Sequence, residues 1–115
     1  MILGVVGYRY YEDYEEFSSH LDNLGKIDEI VSGGCPVGHG GADKMAERYA
    51  EERKIKMTVF APQGKGSHYL LKRNTQIVDH GLDKLIAFVH PLSRGTHDTI
   101  DKAKLRRIEV IEIKI

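Results

Sequence analysis

Short apolar runs and amphipathic stretches alternate from one end of this chain to the other. Ile2 to Val6 is apolar and partly β-branched and ends at Gly7, the pattern of a buried strand. Tyr14, Phe17, Leu21 and Leu24 then recur at helical spacing, with Asp13 placed to cap and Gly25 to stop. Glu29 to Ser32 predicts a second strand, and Ala42, Met45, Ala46, Tyr49 and Ala50 predict a helix over Ala42 to Arg53. Met57 to Ala61 predicts a third strand, followed by a polar, glycine-containing loop over Pro62 to Ser67. A third helix carries Tyr69, Leu70, Arg73, Asn74, Ile77 and Val78 and stops at Gly81. Lys84 to Val89 predicts a fourth strand, closed by Pro91, and Ser93-Arg94-Gly95-Thr96 opens a fourth helix through Ile100, Ala103 and Lys104. Ile108 to Ile113 alternates apolar with charged residues, as an edge strand with one wet face does.

Strands alternating with helices imply crossover connections and a parallel sheet. The expectation is an α/β fold: residues 1–115 as a single Rossmann-like domain, with about five mainly parallel strands and helices on both faces. Ligands of such sheets bind beyond the carboxyl ends of the strands, where the strand order reverses. Three segments follow strands in that way: Gly7-Tyr8-Arg9, the loop from Gly33 to Asp43, and Ser93 to His97.

The loop from Gly33 to Gly41 holds five glycines in nine positions: Gly33, Gly34, Gly38, Gly40 and Gly41. A plain turn needs one or two. Glycines let the backbone approach a ligand closely, and the helix behind them turns its free N–H groups and positive dipole end into the loop. That combination suits a phosphate. Asp43, in the first turn of the same helix, would repel a phosphate there and instead suits a ribose hydroxyl or backbone amides. Arg9 is placed as a phosphate clamp, and Tyr8 to stack on a base, with Tyr10, Tyr11 and Tyr14 also close by. Gly95 and Thr96 mark a second helix N-terminus, to which Ser93 and Arg94 add donors. Arg73 and Asn74 form a polar pair on a half-apolar stripe and need partners, from the protein or from a ligand. His39, in the glycine loop, could reach a ligand, Cys35 has no inferable His–acid partner, and His97 and Asp98 are expected to project about 100° apart on their helix.

Composition narrows the partners. Seventeen basic residues balance seventeen acidic ones, which argues against a bulk polyanion such as DNA. At 41% hydrophobic content the chain can build a core, and no apolar run approaches the roughly 20 residues of a membrane span. The start Met-Ile-Leu-Gly-Val-Val carries no basic leader or cleavage site, and Cys35 is the one cysteine, so the expected compartment is reducing, the cytoplasm. No thiol pair or His-x-x-x-His spacing suggests a metal, and none is expected.

Taken together, Gly7-x-Arg9, Ser32-Gly33-Gly34, Gly41-Ala42-Asp43 with Ala46 and Ala50, Arg73-Asn74 with Ile77, and Ser93-x-Gly95-Thr96 resemble the SLOG superfamily, most closely its small YspA-like branch. The resemblance runs from about Ile2 to Ile111. It implies a Rossmann-like fold that binds a nucleotide or a molecule derived from NAD or ADP-ribose, with no further cofactor, acting as sensor, carrier or sequestering protein. The residues it marks for that ligand are Gly7, Tyr8, Arg9, Ser32, Gly33, Gly34, Gly38, Gly40, Gly41, Asp43, Arg73, Asn74, Ser93, Gly95 and Thr96. The chain departs from the family pattern in a loop lengthened by Cys35 to Gly40. Related LOG phosphoribohydrolases carry a catalytic Glu where this chain has Thr99, which weighs against hydrolysis. If the chain is an enzyme of that N-glycosidase type, Arg73, Asp98 and Asp43 are the residues left to carry it. Single-stranded nucleic-acid binding, as in the DNA-processing relatives, is a third reading, disfavoured by the neutral charge. Homo-oligomerisation through the Tyr-rich first helix and the edge strand stays open.

Overall fold

A computed structural model describes residues 1–34, 41–64, 66–93 and 95–115, with Ser67 described by its backbone. Nine elements follow one another: β1 (Ile2–Gly7), α1 (Tyr14–Asp22), β2 (Glu29–Ser32), α2 (Gly41–Arg53), β3 (Lys56–Val59), α3 (Ser67–Asp79), β4 (Lys84–Val89), α4 (Gly95–Leu105) and β5 (Glu109–Lys114). The five strands form one all-parallel sheet in the order β3-β2-β1-β4-β5. The "mainly parallel" expectation thus resolves to wholly parallel, and β5 is an edge, as its alternation predicts.

Period-two alternation of side chains splits the core between the two faces of the sheet. Leu3, Val5, Ile30, Ile86 and Phe88 face α1 and α2, which bring Phe17, Leu21, Ala42, Met45, Ala46 and Tyr49. Val6, Val31, Leu85 and Ala87 face α3 and α4, which bring Ile77, Val78, Ile100 and Ala103. The runs in β1 and β4 are apolar throughout because both of their faces are covered.

One-residue shifts aside, as at the starts of α2 and β3 and at both ends of β5, two boundaries differ from the sequence pattern. α1 ends at Asp22, and Asn23 and Leu24 close the last turn by donating to Ser19 and Leu21. Leu24 still packs on the core from outside the helix, which is why the apolar spacing overshoots it. β3 stops at Val59 rather than Ala61, because its partner ends there in the Ser32–Val59 pair. At the N-terminal end of the sheet the buried Glu29 accepts a 2.6 Å hydrogen bond from Thr58 Oγ1 and lies 2.8 Å from His80 Nε2. The Thr58 bond chiefly, with His80 and Lys56, holds its carboxyl below the usual range. Among the described residues no helix is long and apolar enough to cross a membrane.

β1 and β4 are neighbours at the centre, and the chain leaves them in opposite directions, toward α1 on one face and α4 on the other. That reversal opens a crevice at their carboxyl ends. Phe88, fully buried in β4, supports one side of it, with ring centroids 5.0 Å from Phe17 and 5.1 Å from Tyr11. Phe88→Ala is expected to cost about 3–5 kcal/mol, read as a shift in the urea unfolding midpoint.

Candidate functional site

A cleft of about 710 Å³ lies beyond the carboxyl ends of the strands. Four connections wall it: those after β1, β2, β3 and β4. Gly7, Tyr8 and Arg9 come from the first, Gly33 and Gly34 from the second, and Ser93 from the last, with Asp43 on α2, Arg73 and Asn74 on α3, and Gly95 and Thr96 on α4. The described residues of the three segments picked out in the sequence therefore converge. Ser32 does not join them: it is fully buried in β2, and its Oγ has no partner among the described residues. Gly41 lies behind Arg9 and borders a smaller hollow. Gly38, Gly40, Cys35, His39 and Arg94 fall outside the described residues.

One polar relay ties the walls together. Arg73 Nη1 donates to the Gly33 carbonyl at 3.0 Å, and its Nε donates to Asn74 Oδ1 at 2.8 Å. Asn74, 1% exposed, turns its Nδ2 to the Gly95 carbonyl at 3.3 Å and to Asp98 Oδ2 at 3.1 Å. Lys102 Nζ completes the run by donating to Asp98 at 2.8 Å and to the Leu71 carbonyl at 2.9 Å. Gly33 has to be glycine for this packing, since a Cβ there would overlap the Arg73 guanidinium. Asp98, a fallback acid in the sequence reading, is thus engaged in clamping α3 to α4 and does not border the cleft.

Each of the two helix N-termini flanking the cleft has an acid in its first turn, Asp43 on α2 and Asp98 on α4, but only Asp43 borders the cleft. At α2, the Ala42 N–H is already given to the Tyr8 carbonyl at 3.3 Å, and Asp43 stands in the first turn. Gly41 there has φ +60°, and a Cβ would lie 2.5 Å from the Arg9 backbone, so only glycine fits. Burial pushes the Asp43 carboxyl up to about 6; Arg73 and the Gly33 backbone oppose the shift and Glu47 adds to it. At α4, no acid borders the cleft among the described residues. Ser93, Thr96 and Thr99 line it there, all more than nine-tenths buried. Neither threonine hydroxyl has a hydrogen-bond partner among the described residues, while Ser93 Oγ accepts from the His90 N–H at 3.2 Å.

Aromatic and apolar groups form the rim. Tyr8 stacks on His90 with centroids 4.1 Å apart, so one of its ring faces is taken by the protein. Tyr10, 52% exposed, meets Tyr8 edge-on, and Leu92 opposite is 71% exposed. Leu70, Pro62, Gly64 and Gly66 line the side formed by the β3–α3 connection. In the sequence this connection reads only as a polar loop and Thr99 only as the place of a missing glutamate, neither as part of the site. The available signal was position: Pro62 to Ser67 follows a strand and opens a helix, as the three chosen segments do.

No protein-family model matches the chain, and no curated protein matches it.

Asp43 binds its proton more tightly in the folded chain than its ordinary value of 3.8 implies. Ionising it therefore lowers stability as pH rises from 3.8 to about 6, and the loss is complete above that. Asp43→Asn should melt like the parent at the acid end of that window and above it at neutral pH, as followed by calorimetry across pH. Asn74→Ala should cost about 1–3 kcal/mol by taking the amide partner from Arg73 Nε and from the Gly95 carbonyl, while Asp98 keeps Lys102, seen as a lower urea midpoint.

Proposed function

We propose that this chain binds a phosphorylated nucleoside in the cleft, as a binding module of the kind its SLOG-like motifs suggest. The phosphate lies at the α4 end and the sugar at Asp43. The observation that carries this reading is the pair Thr96 and Thr99, buried residues on the cleft wall at that helix N-terminus whose hydroxyls have no hydrogen-bond partner among the described residues. Hydroxyls and first-turn N–H groups are donors for phosphate oxygens, and among the described residues no acid borders the cleft there, the first-turn Asp98 being held by Asn74 and Lys102. Asp43 makes the α2 end a poor place for phosphate and a good acceptor for a sugar diol, with Arg73 beside it. The exposed Tyr10 and Leu92 on the rim are suited to cover a base. No metal is invoked. The binding role would be that of a sensor, carrier or sequestering protein in the cytoplasm.

Asp43 supports a second reading, an N-glycosidase. A carboxyl pushed up to about 6 is poised to exchange a proton near neutral pH, and it borders the cleft beside Arg73.

A thermal-shift and calorimetric panel of AMP, deoxy-AMP, ADP-ribose and NAD separates these readings, with chromatography of each ligand after incubation. AMP should raise the melting temperature, and Thr96→Val should weaken its binding about tenfold, the loss of one good hydrogen bond. Deoxy-AMP should bind more weakly than AMP if Asp43 holds the diol. Free base that vanishes in Asp43→Asn would establish the enzyme instead. No shift with any of these ligands would overturn the proposal.

A further inference from the structure

β5 closes the sheet on one side, and among the described residues no strand pairs with its outer edge. The Ile115 N–H donates to the Val89 carbonyl at 2.9 Å, so by alternation the backbone groups of Ile111 and Ile113 also turn toward β4. Those of Val110, Glu112 and Lys114 turn outward. Edge strands commonly blunt such a row of donors and acceptors by proline, a bulge, brevity or charge. β5 has no proline and runs six residues in unbroken register with β4. Charge is the device left to it, and the order of those charges is informative.

The two faces of β5 differ. Ile111, Ile113 and Ile115 reach the core on the α1–α2 side yet keep part of their surface open. Glu112 and Lys114 project from the other face. Glu112 is 42% exposed and meets Lys104 at 3.5 Å, while the exposed Lys114 has no ion-pair partner among the described residues.

A second copy of β5 laid antiparallel sets each outward backbone group against another, with side chains of one face opposite each other. The charges then choose the register. Centred on Glu112, the two-fold would bring two carboxylates together. Centred on Ile111, it would set Glu112 against Val110 and Lys114 against Ile108. Centred on Ile113, it sets Glu112 against Lys114 of the second copy twice over, Ile111 against Ile115 twice, and Ile113 against itself. Glu112 and Lys114 are also outward-turned residues, so in that register they exchange backbone hydrogen bonds as well.

We infer that this chain forms a two-fold dimer with a second copy of itself through β5, antiparallel and centred on Ile113. The two sheets join into one, and the isoleucine stripes meet on one face of it. The copies run in opposite directions, so their clefts open at opposite ends of the joint sheet and neither is covered. The inference therefore stands apart from what the cleft binds. An isologous contact closes at two copies, and one short strand pair is a small interface, so the dimer is weak and reversible.

Sedimentation equilibrium from about 10 µM to about 1 mM tests it, and the chain should pass from monomer to dimer over that range. Glu112→Lys and Lys114→Glu each set like charges opposite one another at two places and should raise the dimer Kd at least about tenfold. Combining the two restores opposite charges and should return the Kd to within about threefold of the parent. Lys104 stands beside position 112 in the Glu112→Lys and the double variant alike, so their comparison isolates the contact between copies. Hydrogen exchange needs no variant: the Glu112 and Lys114 amides should slow as concentration rises. A monomer throughout, a dimer indifferent to either single change, a double variant no better than Glu112→Lys, amides that do not slow, or assembly continuing past two copies would each overturn the inference.

Discussion

Arg73 reaches across the carboxyl end of the sheet and lands on a backbone carbonyl, and much of the cleft's shape follows from that bond. The β2 connection can sit so close only because position 33 carries no side chain. The same guanidinium fixes Asn74, which in turn fixes Gly95 and Asp98. Two helices and a loop that share no strand pairing are thereby held at set distances. Each member is a buried or part-buried polar group whose desolvation the others help to compensate, so removing one weakens the rest.

The consequence is a cleft with two chemically distinct ends. A helix N-terminus attracts anions in general, but α2 has filled its own first turn with Asp43 and given an N–H to Tyr8. α4 has instead placed its acid, Asp98, around the helix and into the relay. Gly33 and Gly34, the described start of the stretch most conspicuous in the sequence, thus border the acidic end. The donor-rich end is marked in the sequence by nothing louder than Ser93, Thr96 and Thr99.

The fold was largely legible because hydrophobic period and strand ends reflect local chemistry. β2 and β4 lie where the apolar runs put them, and the alternation of β5 foretold its edge position. The overshoots, at Leu24 and Ala61, occur where an apolar residue packs outside its element or a ladder loses its partner. Convergence of the site's loops followed from the parallel order. What sequence could not yield was pairing across elements. Asp98 reads as a free acid until Asn74 and Lys102 are seen around it, Tyr8 as an open platform until His90 stacks on it, and Ser32 as a ligand group until β2 is seen covered on both faces.

The strand order also bears on how the chain becomes a domain during synthesis. β1 is made first yet sits at the centre, and its second neighbour, β4, emerges much later: the Ile2 N–H bonds the Asp83 carboxylate across 81 positions. Until β4 arrives, one side of β1 is an unpaired apolar edge, and until β5 arrives so is β4. Half of the sheet, β1 to β3 with α1 and α2, can assemble on the ribosome while the other half is still absent. The cleft, whose walls come from both halves, has no partial form: it comes into being only when the last crossover closes.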